Sequence, residues 1–371
     1  MSKNILHICS YYDASTTFQI QFNELSKKKG FKQTVYIPVQ KNNKFGRNRL
    51  DENKNIKFVY SPVLSTLTRI SLRYKMQVIR KDILDKISIN KFDIIHSHSL
   101  FSDGCLAAIL SDRFNIPFIT SVRSTDINIF LKFKPFLRFE LVEIMSKAKF
   151  IIAIAPWIRK IVKEKYIHSL KRYELLSKLR VVANPINNYW IMNKYVGNKE
   201  LNKIRLIYVG DFSERKNVPT IIKATHQLKK RGVDINLTII GDKGGDEKIV
   251  KKLSNSYITF KGRINSKQKL LEEYRKANIF IMISHKETFG LVYLEALSQG
   301  LSLIYSKNTG IDGLFKEGEV GYGVNPKSAK DVADTVLKAH KNLQIMKNNT
   351  LKSVDKFSPK IIAEKILRLY N

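Results

Sequence analysis

Two glutamates eight residues apart, Glu287 and Glu295, lie in the stretch HKETFGLVYLEALSQG. The second falls inside FGLVYLEAL, apolar on nearly every side, which predicts a buried helix; a buried carboxylate is costly unless a polar group meets it. The first precedes that helix, beside Thr288 as its expected N-cap and Gly290, which lets a ligand approach the backbone. Unpaired amides at a helix N-terminus attract phosphate. One carboxylate before that terminus and one about a turn inside it would bracket a bound diphosphate and accept hydrogen bonds from sugar hydroxyls. The plainer alternative makes Glu287 a solvated loop residue and Glu295 a paired core acid.

Other polar residues fall at the ends of apolar runs. His96 and His98 close FDIIHSHS, Arg123 and Asp126 follow PFITSV, and Asn184 follows LRVVA. Arg215 and Lys216 follow IRLIYVGDF, and Gly241-Asp242-Lys243-Gly244 follows INLTII. Alone, each reads as an ordinary turn, a satisfied histidine or a solvated cation. Together they point to the carboxyl edges of parallel sheets, where open α/β folds bind ligands.

The elements that must position them alternate. Strand-like runs are NILHICS, KQTVYIP, NIKFVYS, FDIIHSHS, PFITSVRS, KFIIAIA and LRVVAN, then IRLIYVGDF, INLTIIGD, YITFKG, ANIFIMIS and LSLIYSK. Most are continuous β-branched runs, the mark of strands covered on both faces. Helical patterns such as FQIQFNELSKKKG, VPTIIKATHQLKKRG and KQKLLEEYRKA intervene. This β-α alternation, running twice, predicts two doubly wound Rossmann-like domains. Residues 1–186 form the first and 203–355 the second; 187–202, which break the period, join them.

A chain of 371 residues is long for one core and agrees with two domains. No apolar run nears the roughly 18 residues that cross a bilayer, and the start, MSKNILHICS, shows no signal-peptide pattern. Cys9 and Cys105 lack metal-ligand spacing, which suits a reduced cytosolic setting. The net charge of +34 divides as +20 in residues 1–200 and +14 in 201–371, so it belongs to no single tail. Such a field draws nucleotides, anionic lipid and nucleic acid alike.

The series YVGDFSERKN, IIGDKG, FKGRI, SHKETFGLVYLEALSQG, NTGIDGL and the final FSPKIIAEKILRLY resembles the retaining glycosyltransferases of family 4, the glycosyl transferases group 1. VRSTDIN with NTGIDGLF looks most like their teichuronic-acid-type branch. The resemblance covers nearly the whole chain and is sharper in its second half. It implies the GT-B architecture: two Rossmann-like domains with parallel sheets facing an interdomain cleft, the first for the acceptor, the second for the nucleotide-sugar, and a last helix, 356–371, crossing back to the first. It implies that Glu287 holds donor-sugar hydroxyls and that Glu295 accepts from the nucleotide ribose. Thr288, Phe289, Gly290 and Leu291 would cradle the distal phosphate, with Gly210 also on the donor side. Arg215 and Lys216 would neutralise the diphosphate, and Arg263 and Ile264 would lie near the base. His98, Arg123 and Asp126 would face sugar and acceptor from the first domain. Four departures stand out: SYYDASTTF lacks paired glycines after the first strand, Arg123 replaces a frequent histidine, Asp211 follows Gly210 where some members have arginine, which leaves Arg215 and Lys216 as the cationic pair, and Thr309-Gly310 replaces Gly-Gly.

Glycosyl transfer needs a leaving group stabilised as negative charge builds on it. The chain has no DxD motif and no His/Cys cluster at ligand spacing, so fixed cations and a helix terminus are expected to serve in place of a metal, with no cofactor. By resemblance the reaction is a hexosyl transfer that retains anomeric configuration. Two segments mix basic and apolar residues: STLTRISLRYKMQVIRK, with Arg69, Arg73 and Arg80 on one helical face, and NIFLKFKPFLRFELV, with Lys132, Lys134 and Arg138 among Phe130, Phe133, Phe136 and Phe139. They predict a cytoplasmic enzyme held peripherally on the inner face of an anionic membrane, acting on a lipid-linked or cell-envelope polysaccharide acceptor. The alternatives are a nucleotide-sugar 2-epimerase of the same architecture and a basic nucleic-acid binder, although no specific nucleic-acid motif is present. A nicotinamide dehydrogenase is disfavoured, because no G-x-G-x-x-G follows the first strand.

Overall fold

The computed structural model describes residues 3–42, 44–130, 137–166, 172–197, 202–253 and 255–371. Within them the apolar runs become strands packed on both faces. The first sheet holds β1 (Lys3–Ile8), β2 (Phe31–Gln40), β3 (Ile56–Leu64), β4 (Ile94–Ser97), β5 (Phe118–Val122), β6 (Phe150–Ala153) and β7 (Leu179–Val181), in the order β3-β2-β1-β4-β5-β6-β7. The second holds β8 (Ile204–Val209), β9 (Ile235–Ile240), β10 (Ile258–Phe260), β11 (Ile279–Met282), β12 (Ser302–Ser306) and β13 (Gly321–Val324), in the order β10-β9-β8-β11-β12-β13. All neighbours in both sheets run parallel. These are two doubly wound Rossmann-like α/β units.

Strand order reverses between β1 and β4 in one sheet and between β8 and β11 in the other. Crossovers there leave in opposite directions and open a crevice beyond the strand ends, where ligands bind. Twelve strands coincide with the runs expected from sequence. The thirteenth, β13, reads GYGV and escapes notice because glycine breaks its apolar run. It needs Gly321, since a Cβ there would sit 2.0 Å from the Leu303 carbonyl oxygen on β12.

The first unit comprises Met1–Ile154, Ile158–Pro185 and Pro359–Asn371, the second Ala155–Trp157 and Ile186–Ser358. The stretch 187–202, expected as a connector, carries a short helix, Asn188–Met192, whose Trp190 is buried against Tyr274 in the second unit. The last helix, Pro359–Tyr370, packs its apolar face, with Ile362 and Ile366, in the first unit beside the helix Thr16–Ser26. Its end is pinned: the Tyr370 hydroxyl is 2.7 Å from His96 Nδ1, and Lys3 Nζ donates to the Tyr370 carbonyl at 2.8 Å.

Among the described residues no helix is long and apolar enough to cross a membrane. The basic face expected over 65–81 is not one helix. Ser71 breaks it into Leu67–Ile70 and Leu72–Lys86, its hydroxyl capping the second by accepting the Tyr74 N–H. Leu67, Ile70 and Tyr74 are exposed, as are Arg73 and Arg80. Of the second basic segment, Lys132, Phe133, Lys134 and Phe136 lie outside the described residues, as do the side chains of Arg69 and Phe130. Arg138 and Phe139 begin the helix Arg138–Lys147, Phe139 exposed.

Candidate active site

The loops after β8 and β11 meet at the reversal of the second sheet. After β8 the chain makes a turn at Glu214–Lys216, passes through Asn217 at φ 57° and starts the helix Val218–Lys230. The His285 N–H donates to the Arg215 carbonyl at 2.8 Å, which fixes this turn against the β11 loop. Lys216 is buried, and its Nζ lies 2.6 Å from Glu287 Oε2 and 3.4 Å from Met282 Sδ. Arg215 is half exposed, with one guanidinium nitrogen 3.8 Å from the same Glu287 oxygen and another 3.4 Å from Asp211. The other Glu287 oxygen accepts the Thr288 N–H at 3.0 Å. Main-chain bonds hold Glu287 in place, since its N–H donates to Thr309 Oγ1 at 2.7 Å and its carbonyl accepts the Gly310 N–H at 3.0 Å. The structure therefore gathers Arg215, Lys216 and Glu287 at one point. Thr309 and Met282, which sequence reasoning did not assign, complete their surroundings.

The helix after Glu287 runs Leu291–Ser298. Its N-cap is Gly290, not Thr288 as expected: Gly290 adopts φ 79°, ψ 79°, and no side chain caps the first amides. The Tyr293 N–H turns back to the Gly290 carbonyl at 3.1 Å, while the Leu291 and Val292 amides stand at the positive end of the helix dipole. The glycine is required twice over, because the conformation is left-handed and a Cβ would stand 2.7 Å from the Tyr293 ring and 3.0 Å from Met282 Cε. Phe289 is buried, and Leu291 is partly exposed.

Glu295 lies about one turn into this helix. The Tyr274 hydroxyl donates to its Oε2 at 3.3 Å. Burial raises its pKa to about 7, against the opposing pull of that hydrogen bond and of Lys267. It is poised between charged and neutral forms, and further hydroxyl donors would favour the charged one.

Gly210 follows β8, and a Cβ on Gly241 would overlap its carbonyl oxygen at 1.8 Å, so the loops after β8 and β9 interlock only because residue 241 is glycine. The Gly241 N–H in turn donates to the Gly262 carbonyl at 2.9 Å. This brings the loop carrying exposed Arg263 and partly exposed Ile264 to the same edge of the sheet.

In the first unit, β1 and β4 bring together three buried histidines. His98 Nε2 is 3.1 Å from His7 Nδ1, and the rings of His96 and His98 stack with centroids 4.2 Å apart. Burial holds all three imidazoles neutral, His7 with its pKa lowered to about 3 and the other two pushed well down. His98 can accept or donate a hydrogen bond but is no fixed cation, and among the described residues its Nδ1 has no partner. The three offer ring nitrogens within 4.8 Å of one another. Sequence spacing hid this grouping, because His7 comes from a strand 89 residues away from His96 in sequence but beside it in register. Stacked rings point their in-plane lone pairs side by side, a poor arrangement for converging on one ion.

The Arg123 guanidinium donates to the His98 carbonyl at 3.0 Å and to Asn184 Oδ1 at 3.1 Å, and lies 4.8 Å above the Phe18 ring. Asp126 is enclosed and accepts the N–H groups of Leu100, Phe101 and Arg123 at 3.2, 3.2 and 2.8 Å. Burial lifts its pKa to about 6 against those three bonds. Its carboxylate positions the loops carrying Arg123 and His98.

The chain matches known proteins along most of its length. Residues 193–353 match the model of glycosyl transferases group 1, and residues 23–188 that of glycosyltransferase family 4. An uncharacterized glycosyltransferase of Methanocaldococcus jannaschii is 26% identical over 304 residues, covering 80% of this chain and 78% of that one. Among solved structures, a sucrose-phosphate synthase of Thermosynechococcus elongatus superposes with TM-score 0.72 at 17% identity, over 99% of this chain and 98% of that one. Anabaena HepE in complex with UDP-glucose does so with TM-score 0.65 at 14% identity, over 98% of each. The chain is a glycosyltransferase of the GT-B architecture. These matches do not favour the epimerase alternative.

Proposed function

We propose that this protein transfers a hexose from a nucleoside-diphosphate sugar to a hydroxyl of a lipid-linked or cell-envelope polysaccharide acceptor, with retention of anomeric configuration and without a metal. The observation that carries the reading is the convergence of Arg215, Lys216 and Glu287 beside an uncapped helix terminus. Two cations and free amides suit a diphosphate whose charge grows as the glycosidic bond breaks. Support for the donor class comes from neighbours of the same fold solved with UDP and UDP-glucose.

In this scheme Glu287 orients sugar hydroxyls and Glu295 takes those of the ribose. The bond from the anomeric carbon to the diphosphate oxygen breaks, its electron pair leaving with the phosphate. The acceptor oxygen attacks the same face through a short-lived oxocarbenium–phosphate pair, and the acceptor proton passes to a β-phosphate oxygen. The protein retains a negatively charged leaving group through Arg215 and Lys216, a role that needs no titrating side chain.

The test is a panel of nucleotide sugars with and without chelator, the products followed by mass spectrometry and their anomeric configuration by NMR. Transfer unaffected by chelator and giving retained stereochemistry is expected; an inverted product refutes the retaining scheme. The basic and apolar residues Arg73, Arg80, Leu67 and Ile70 support peripheral membrane attachment. Flotation with anionic liposomes should therefore capture the protein at low salt and release it at high salt, within the range where Debye screening takes hold.

A further inference from the structure

The first unit holds a cavity of about 450 Å³, bordered by the loop after β1, by β2 and β3, and by the helices Leu67–Ile70 and Leu72–Lys86. That size falls within the roughly 300–1,000 Å³ common for small-molecule sites. Its wall is largely apolar, with Ile37, Val39, Phe45, Leu64 and Leu72 among the lining residues. Of the three charged groups of the wall, Lys44 is exposed to solvent, and the other two, Asp13 and Lys75, differ in how far they are engaged. Asp13 is fully engaged: it accepts the Gly46 N–H at 2.6 Å, the Asn48 N–H at 3.1 Å and the Tyr60 hydroxyl at 3.1 Å, and so holds the flap that carries Phe45.

Lys75 is under-used. Its ammonium donates to the Ser102 hydroxyl, and among the described residues it forms no ion pair. An ammonium has three donors, so two are left over. Burial pushes its pKa down while Asp103 pushes it back up, and that carboxylate is itself taken by the Ser10 amide and hydroxyl. A cation kept in an apolar cavity with donors to spare is costly until an anion meets it. The helices bordering the cavity expose Leu67, Ile70 and Tyr74, by 62, 75 and 44%. A rim of large apolar side chains on a chain of net charge +34 suits a ligand whose own chain continues toward an anionic lipid surface.

We propose that this cavity binds an anionic amphiphile, the phosphate ester of a long-chain alcohol, with the phosphate on Lys75 and the alkyl chain against Phe45, Leu64 and Leu72. This deepens the transferase reading by giving a chemical class to the acceptor, and rests on it only for naming the occupant as acceptor.

Octyl phosphate below its micellar concentration, titrated into the full chain by calorimetry, tests this, with octanol and inorganic phosphate as partial ligands. Octyl phosphate is expected to bind more tightly than either. Lys75→Met keeps the stem and removes the charge; it should weaken octyl phosphate about tenfold or more while leaving octanol unchanged. Lys75→Arg should retain binding. Leu72→Glu, which sets a carboxylate in the wall, should abolish octyl phosphate binding while sparing UDP, and it serves if Lys75→Met does not fold. Equal octyl phosphate affinity in the native protein and Lys75→Met, or no saturable heat with the native protein, overturns the proposal. Loss of soluble octyl phosphate binding in Ile70→Asp, a rim change, would also overturn it by showing surface adhesion alone. A UDP titration of the same samples separates the two readings. UDP binding without octyl phosphate binding sinks the cavity assignment and leaves the transferase reading standing. Octyl phosphate binding without UDP upholds the cavity and removes the name acceptor.

Discussion

Lys216 Nζ lies 2.6 Å from Glu287 Oε2, with only 10% of either side chain exposed. The two arrive from loops after β8 and β11, so the pair ties together the strand ends at which the second sheet reverses. An enclosed ion pair adds little net stability, but removing one member strands the other, at a cost of about 3–5 kcal/mol. Lys216→Met should therefore lower both melting temperature and turnover. Lys216→Met with Glu287→Gln should recover part of the stability and none of the activity. A double-mutant cycle followed by thermal melting and by donor hydrolysis measures both, and additive losses in stability would show that the pair is not coupled.

Glu295 gives a pH signature. Its pKa of about 7 in the fold stands above the ordinary 4.5, so the folded state favours the protonated form. That contribution is fully present below about pH 4.5 and is lost as pH rises through 7, a change on the order of 1–3 kcal/mol. Glu295→Gln should remove it, and the difference between variant and native melting curves across pH 5–8 isolates it from Asp103 and Asp126, whose pKa values are also raised, to about 6. If ribose hydroxyls donate to the charged form, nucleotide affinity should rise between pH 6 and 8 in the native protein and stay flat in Glu295→Gln. Calorimetry in buffers of different ionisation enthalpy would detect the released proton; pH-independent affinity in the native protein would remove Glu295 from the ribose.

How much of this could be read in the sequence depends on where the cause lies. Parallel strands buried on both faces announce themselves as continuous apolar runs, so twelve strands were legible, and Glu287, Arg215 and Lys216 were found because they follow such runs. β13 was not, because close approach to β12 selects glycine over apolar bulk. Local composition points to Thr288 as the cap where the structure has Gly290, since a left-handed glycine replaces a side-chain cap without changing that composition. The histidine group was invisible because parallel register, not spacing, sets His7 beside His96. The break at Ser71 leaves no mark in the sequence, because the apolar and basic period continues through it.

Gly290 makes a sharp test of the helix terminus. Alanine there must hold φ 79° and place its Cβ against Tyr293 and Met282. Strain of this kind costs on the order of 1–3 kcal/mol, and the chain can relieve it only by turning the first amides of Leu291–Ser298 away from their present direction. Gly290→Ala should weaken UDP binding much more than it lowers the melting temperature. Gly318→Ala, also at positive φ (80°) but with nothing nearer than 3.3 Å to its Cβ, serves as the comparison. Equal UDP affinities in the two variants would disconnect the helix terminus from the phosphate.

Tyr370 closes the chain by meeting His96 Nδ1 at 2.7 Å inside the first unit. Tyr370→Phe keeps the ring packing and leaves a buried imidazole nitrogen without its partner, at a cost of about 1–3 kcal/mol. The burial that keeps His96 neutral also prevents it from recovering that loss by protonation near neutral pH. Hydrogen exchange should therefore show faster opening of Pro359–Tyr370 and the β4 edge in Tyr370→Phe, with amides of β8 to β13 unchanged. Uniform acceleration across both sheets would mean that the last helix supports the whole molecule rather than the unit it packs in.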